Sequence, residues 1–195
     1  MKKLIKYFTR KGYATMKELR ASGFQTRDIR TLIENGQIVK IKPGLYKLSE
    51  LDIQNSGFID VCKSVPKGII CLISALEYHG LSTINPWQIH VAIPHSEKRV
   101  KIKYPPVQFF YFRNRFYNWG SKEIVTKTGS FKIYNPEKTI CDLFRYRNKL
   151  GEDIALEGLK NYLKRKDANI SKLWDYAIRC RVKTIIQPYI KAMVI

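Results

Sequence analysis

The sequence predicts an α+β fold on three observations. Apolar residues recur at helical spacing through the first 35 residues. A basic strand-turn-strand run follows at 38–48. Beyond it, strand-like segments give way to a succession of helical stretches that runs to the C-terminal end.

Each element has its own local cause. Leu4, Ile5 and Phe8 fall on one face of a helix over 2–11, and Gly12 ends it. Thr15 stands at an N-cap with Glu18 three residues on, which is a capping box. Met16 and Leu19 supply the buried side of a short second helix, Gly23 breaks it, and Phe24 plugs the corner. A third helix runs from Thr26 to Asn35 with Ile29, Leu32 and Ile33 inward, stopped by Gly36. Ile38–Lys42 and Leu45–Leu48 read as strands around a Pro43-Gly44 turn. Three short helices followed by a basic hairpin make an N-terminal winged helix-turn-helix. The polar run from Leu51 to Gly57 reads as a linker, giving domains at 1–50 and 56–195.

The second domain reads as a mixed domain with a small sheet and a helical C-terminal tail. Phe58–Val65 and Ile70–His79 are expected helices. Trp87–Pro94 alternates like a strand and stops at proline, and Val107–Arg113 is a second, aromatic-rich strand. Glu97–Lys103 reads as a basic surface strand. Glu123–Lys127 and Ser130–Tyr134 flank a Thr128-Gly129 turn as a hairpin. Asn135 caps a helix with Pro136 at its first position, and further helices are expected at about 152–165, 171–181 and 183–193.

Composition narrows the function. The chain has 195 residues, 45% of them apolar, so a packed core is expected rather than disorder. Its net charge is +20. An imbalance of that size strains a compact fold unless an anionic partner offsets it, and nucleic acid is the commonest such partner. Both parts contribute: 1–55 carry 12 Lys and Arg against 5 Asp and Glu, and 56–195 carry 24 against 11. A membrane partner is disfavoured, because no apolar run approaches spanning length and the basic start lacks a signal-peptide core. Cys62, Cys71, Cys141 and Cys180 form no CxxC pair and no zinc spacing with His79, His90 or His95. They read as reduced thiols of a cytoplasmic protein, with no cofactor expected.

In a helix-turn-helix the second helix braces the third, whose N-terminal residues meet base edges in the major groove. Those residues are Gln25, Thr26 and Arg27, with Arg30 and Thr31 one turn on. Arg27 and Arg30, three apart, share a helix face. An arginine fork bonds guanine at two acceptors and a glutamine does the same with adenine. Lys40 and Lys42 alternate on the wing, hence on one side of it, where they would meet phosphate or the minor groove and position rather than specify. The competing reading makes these ordinary solvated charges paired with Asp28 or Glu34.

Three blocks carry a resemblance: Gly12–Leu19, Thr26–Gly36 and Ile38–Tyr46. Together they resemble the N-terminal domain of AbiEi-type antitoxins of the abortive-infection, type IV toxin–antitoxin class. Ser74–Leu81, Ile89–Pro94 and Ile133–Leu143 are similar to that family's C-terminal blocks. The resemblance implies a transcriptional regulator that represses its own operon by binding inverted repeats in duplex DNA. It also implies a cognate nucleotidyltransferase-like toxin, neutralised without a stable complex.

Catalysis has little support. Trp119-Gly-Ser-Lys122 is faintly similar to a nucleotidyltransferase loop, but only Glu123 follows before Glu137, so the metal-holding carboxylate pair is missing. His79 at a helix end, His90 on a strand and Asp142 on a helix read as structural. Phe109, Phe110, Tyr111, Phe112, Phe116, Tyr117 and Trp119 read as core, with a stacking platform for single-stranded nucleic acid as the alternative. Two other functions stay open: an RNA- or protein-binding module that docks through the winged helix, and a degenerate nucleotidyltransferase-like enzyme.

Overall fold

Leu4 and Phe8 are both buried on one side of the first helix, α1 (Lys2–Lys11), and anchor the N-terminal core. The computed structural model describes residues 2–49, 56–98, 100–102, 104–126 and 128–193. After α1 come β1 (Tyr13–Thr15), α2 (Met16–Ala21), α3 (Thr26–Glu34), β2 (Ile38–Lys42) and β3 (Leu45–Leu48). The three strands form an antiparallel sheet in the order β1-β3-β2. Leu19, Ile29, Leu32, Ile38 and Tyr46 close the core over it. This is a winged helix-turn-helix, with helix limits close to those expected. β1 is an addition: three residues are too few to show alternation, and only pairing with β3 makes them a strand.

The second sheet has five strands in the order β6-β5-β4-β8-β7. They are β4 (Ile69–Ile70), β5 (Ile89–Pro94), β6 (Val107–Phe112), β7 (Ser121–Thr126) and β8 (Gly129–Tyr134). β5 and β6 are parallel, as are β4 and β8; the other neighbours are antiparallel. The period-2 alternation of the strands divides two cores. Val91, Ile93, Phe131 and Ile133 pack with Phe58, Ile59, Val61 and Val65, which lie on and just after α4 (Ser56–Ser64). Ala92, Phe110, Phe112 and Tyr134 join the larger cluster on the opposite face. That cluster holds α5 (Leu72–Tyr78), α7 (Pro136–Arg145), α9 (Glu152–Leu163), α10 (Ile170–Cys180) and α11 (Lys183–Met193). Two single-turn helices, α6 (Asn114–Tyr117) and α8 (Arg147–Leu150), complete the elements.

Three expectations change. Ile70–His79 is not one helix: Ile69–Ile70 form β4 between β5 and β8, and the helix begins at Leu72. A two-residue strand carries no period of its own, so only its partners reveal it. Glu97–Lys103 is not a strand over its described residues. Because β5 and β6 run parallel, the chain between them must be a return connection. The expected linker falls outside the described residues up to Asn55, while Gly57 lies inside α4.

The aromatic run is core. Phe110, Phe112 and Phe116 are buried in the helix-covered cluster, while Phe109 and Tyr111 pack on the other face. His79 Nε2 lies 2.7 Å from the Tyr134 carbonyl, so it donates to the end of β8 rather than to its own helix. All four cysteines are free thiols.

Candidate nucleic-acid interface

The third helix is presented by the second. Thr15 Oγ1 accepts from the Glu18 N–H at 3.2 Å, and Glu18 Oε2 accepts from the Thr15 N–H at 2.7 Å. This capping box holds the Glu18 carboxyl below its ordinary value, the Thr15 N–H being the largest cause. The turn into α3 closes through the Phe24 N–H on the Leu19 carbonyl at 3.1 Å, with Gly23 at φ 81°, where a side chain would strain. Ile29 and Leu32 then lock α3 to the core at 1% and 0% exposure. Burying that face leaves the opposite face to solvent.

The expected contact residues stand at the N-terminal end and along the exposed side of α3. Gln25 is the N-cap of α3, is exposed, and makes no side-chain capping bond, so its amide is not engaged by the helix end. Thr26 and Arg27 are exposed at the first turn. Arg30 is exposed one turn on and lies 3.2 Å from Glu34, a solvent-screened i,i+4 pair that competes weakly for the guanidinium. Thr31 is half-buried and donates to the Arg27 carbonyl at 3.1 Å, which leaves its oxygen lone pairs outward-capable. Lys17 and Arg20, exposed on α2, extend the basic surface to the brace helix. The sequence reading names neither, although Lys17 lies off the Met16 and Leu19 side.

The wing differs from its expected geometry. Lys40 pairs in register with Tyr46 but Lys42 with Leu45, so the register shifts between them. Alternation does not carry across an irregularity. Lys40 is exposed, whereas Lys42 turns to the second domain and donates to the Ser64 carbonyl at 2.8 Å. Lys42 thereby ties the wing to the end of α4.

A second tie lies beside it. Asp60 on α4, fully buried, accepts from Tyr13 Oη at 2.7 Å and from Lys47 Nζ at 2.6 Å. Burial, then the Asp60 contact, pushes the Tyr13 hydroxyl far above its ordinary value, so it stays a donor. The sequence holds one trace of this node: Asp60 is a lone acid between Ile59 and Val61. Its partners are distant in sequence and carry no pattern pointing to it.

A buried charge cluster occupies the helix-covered core. Lys138 and Asp142 are ion-paired at 0% exposure, and the Lys138 ammonium sits 4.4 Å from the Tyr134 ring centre and 4.8 Å from that of Trp119. Asp142 thus pairs with a lysine inside the core. Among the described residues, no group of three His, Cys, Asp or Glu is placed to hold a metal ion. Nor is any helix among them long and apolar enough to cross a membrane.

Two family descriptions match this arrangement. Residues 2–49 match "Transcriptional regulator, AbiEi antitoxin", and residues 69–183 match "AbiEi antitoxin C-terminal domain". The chain belongs to the AbiEi antitoxin family. No curated protein matches it. The regulator match ends within one residue of β3, so the AbiEi regulator segment coincides with the winged helix. The C-terminal match begins at β4 and runs to the start of α11, taking in the five-stranded sheet but not α4. In this AbiEi protein, then, the helix that receives Tyr13, Lys42 and Lys47 lies between the two matched segments.

Proposed function

We propose that this AbiEi protein is a cytoplasmic, sequence-selective repressor, the autorepressing antitoxin of a type IV system. Its winged helix, residues 1–50, binds inverted repeats in duplex DNA upstream of its own operon. The observation that carries this reading is α3: Arg27 and Arg30 are exposed on a helix whose other face is locked by Ile29 and Leu32. Gln25, Thr26, Arg27, Arg30 and Thr31 read base edges from the major groove. Lys40, Lys17 and Arg20 meet phosphates, which position the protein without specifying sequence. Residues 56–195 form the antitoxin domain. It acts against a nucleotidyltransferase-like toxin without a stable complex and without catalysis of its own.

The test is a gel-shift titration with DNA from upstream of the gene against random duplex, at two salt concentrations. Selective binding that is lost in Arg27→Ala plus Arg30→Ala supports the reading. Equal, steeply salt-sensitive binding to any duplex overturns it, because charge alone then accounts for the affinity.

A further inference from the structure

β5 and β6 are parallel neighbours, in register from Ile89 opposite Val107 to Pro94 opposite Phe112, so their carboxyl ends share one edge of the sheet. The His95 N–H donates to the Phe112 carbonyl at 3.0 Å and ties the two ends together. Just beyond them His95, Ser96, Arg113 and Asn114 line an open cavity of about 370 Å³. Carboxyl ends of parallel strands are favoured ligand positions, and this volume is in the range of small-molecule sites.

Arg113 lines the cavity, and Arg115 follows it two residues on. The guanidinium carbons of Arg115 and Arg145 lie 4.7 and 4.0 Å from the same Phe116 ring centre. Arg145 also lies 4.7 Å from the Phe112 ring centre. Arg181 ends α10 in the left-handed conformation at φ 60°, and Arg113, Arg115 and Arg181 are all exposed. The crowding registers on Arg115, which is pulled below its ordinary value by Arg181 first, then by burial, Arg113 and Arg145.

Counter-charge is short. Asp142 already pairs with Lys138 and accepts a weak bond from the Cys180 thiol at 3.7 Å. Arg145 Nη1 lies 3.4 Å from that same carboxylate, shielded from water and without a partner in hydrogen-bond geometry. One carboxylate therefore serves both the buried Lys138 ammonium and the half-buried Arg145 guanidinium, and among the described residues Arg113, Arg115 and Arg181 have no ion pair. An anion with several oxygens would relieve the repulsion and satisfy the guanidinium donors, and arginine forks match phosphate geometry in pairs.

We propose that Arg113, Arg115, Arg145 and Arg181, at the carboxyl end of β5 and β6, form a binding site for a compact ligand bearing a di- or triphosphate. The clustered forks and the adjoining cavity fit a short phosphate chain rather than an extended backbone. This site lies in the second domain, uses none of the recognition-helix residues, and stands whether or not the winged helix selects a DNA sequence.

The experiment is calorimetric titration of the full chain, at constant ionic strength, with pyrophosphate, with ATP and with a single-stranded oligonucleotide. Proteins compared are wild type, Arg115→Ala plus Arg181→Ala, Arg115→Lys plus Arg181→Lys, and Arg27→Ala plus Arg30→Ala. The expected result is one saturable site for pyrophosphate and ATP. Affinity falls about tenfold or more in the alanine pair, falls also in the lysine pair that keeps charge but loses the forks, and is unchanged in the recognition-helix pair. Circular dichroism of the exposed-site variants confirms their folding. Absence of pyrophosphate and ATP binding, equal binding by wild type and the alanine pair, or binding of the oligonucleotide alone would each overturn the proposal.

Discussion

Asp60→Ala should loosen the winged helix from the rest of the molecule. The carboxylate is fully buried and takes two hydrogen bonds, from Tyr13 and from Lys47, whose own exposure is 8%. Removing it leaves the Lys47 ammonium without a counter-charge at a site that admits little water, and the Tyr13 hydroxyl without an acceptor. Breaking a buried pair in this way costs about 3–5 kcal/mol. Asp60→Asn combined with Lys47→Met removes both charges and keeps an acceptor for Tyr13, so it should recover most of the loss. The assay is urea unfolding followed by two probes. Trp87, Trp119 and Trp174 all lie in the second domain, so their fluorescence reports that part alone, whereas far-ultraviolet circular dichroism reports both. The two transitions should coincide in the wild type and separate in Asp60→Ala, with the dichroism moving first. A loss under about 1 kcal/mol, or a double variant no better than Asp60→Ala, would refute the reasoning, because the pair would then be behaving as a solvent-screened one.

Three further outcomes follow from the geometry. Lys40→Ala should weaken binding to all duplexes and lower the salt slope by about one unit, whereas Lys42→Ala should leave the slope unchanged, because its ammonium is held by Ser64; equal slopes for the two variants would contradict the placement. Asp142→Ala should destabilise by about 3–5 kcal/mol, and Lys138→Met by clearly less, since Arg145 and Cys180 still face the carboxylate in the second case; chemical denaturation ranks them. Stability should also fall on acidification. Burial first, then the Lys149 charge, pushes His90 down to about 4, and burial lowers His79 as well. The unfolded chain then binds more protons than the folded one between about pH 6.5 and 4, so stability is full above that window and is lost as pH falls through it, by at most about 3 kcal/mol for His90. A shallower stability profile in His90→Gln than in the wild type, with a residual slope that belongs to His79, checks the assignment.

The winged helix was legible because its causes are local. Helical periodicity, the Thr15 and Glu18 pair, the turn at Gly23 and the Pro43-Gly44 hairpin each act within a few residues, and each element formed near its expected limits. Which face of α3 is exposed follows from the same arithmetic, since burying Ile29 and Leu32 turns Arg27 and Arg30 outward. What the sequence by itself determined is therefore the three helices and the hairpin of the winged helix, their order, and the face that α3 exposes. What only the tertiary structure decided are the features built by residues far apart. β1 and β4 are strands because of their partners, and Lys42 is a brace rather than a free wing charge because the register shifts and Ser64 lies within reach. The Tyr13–Asp60–Lys47 node and the arginine edge join residues from separate elements. Periodicity records which side of an element is buried; it holds no record of what that side is buried against.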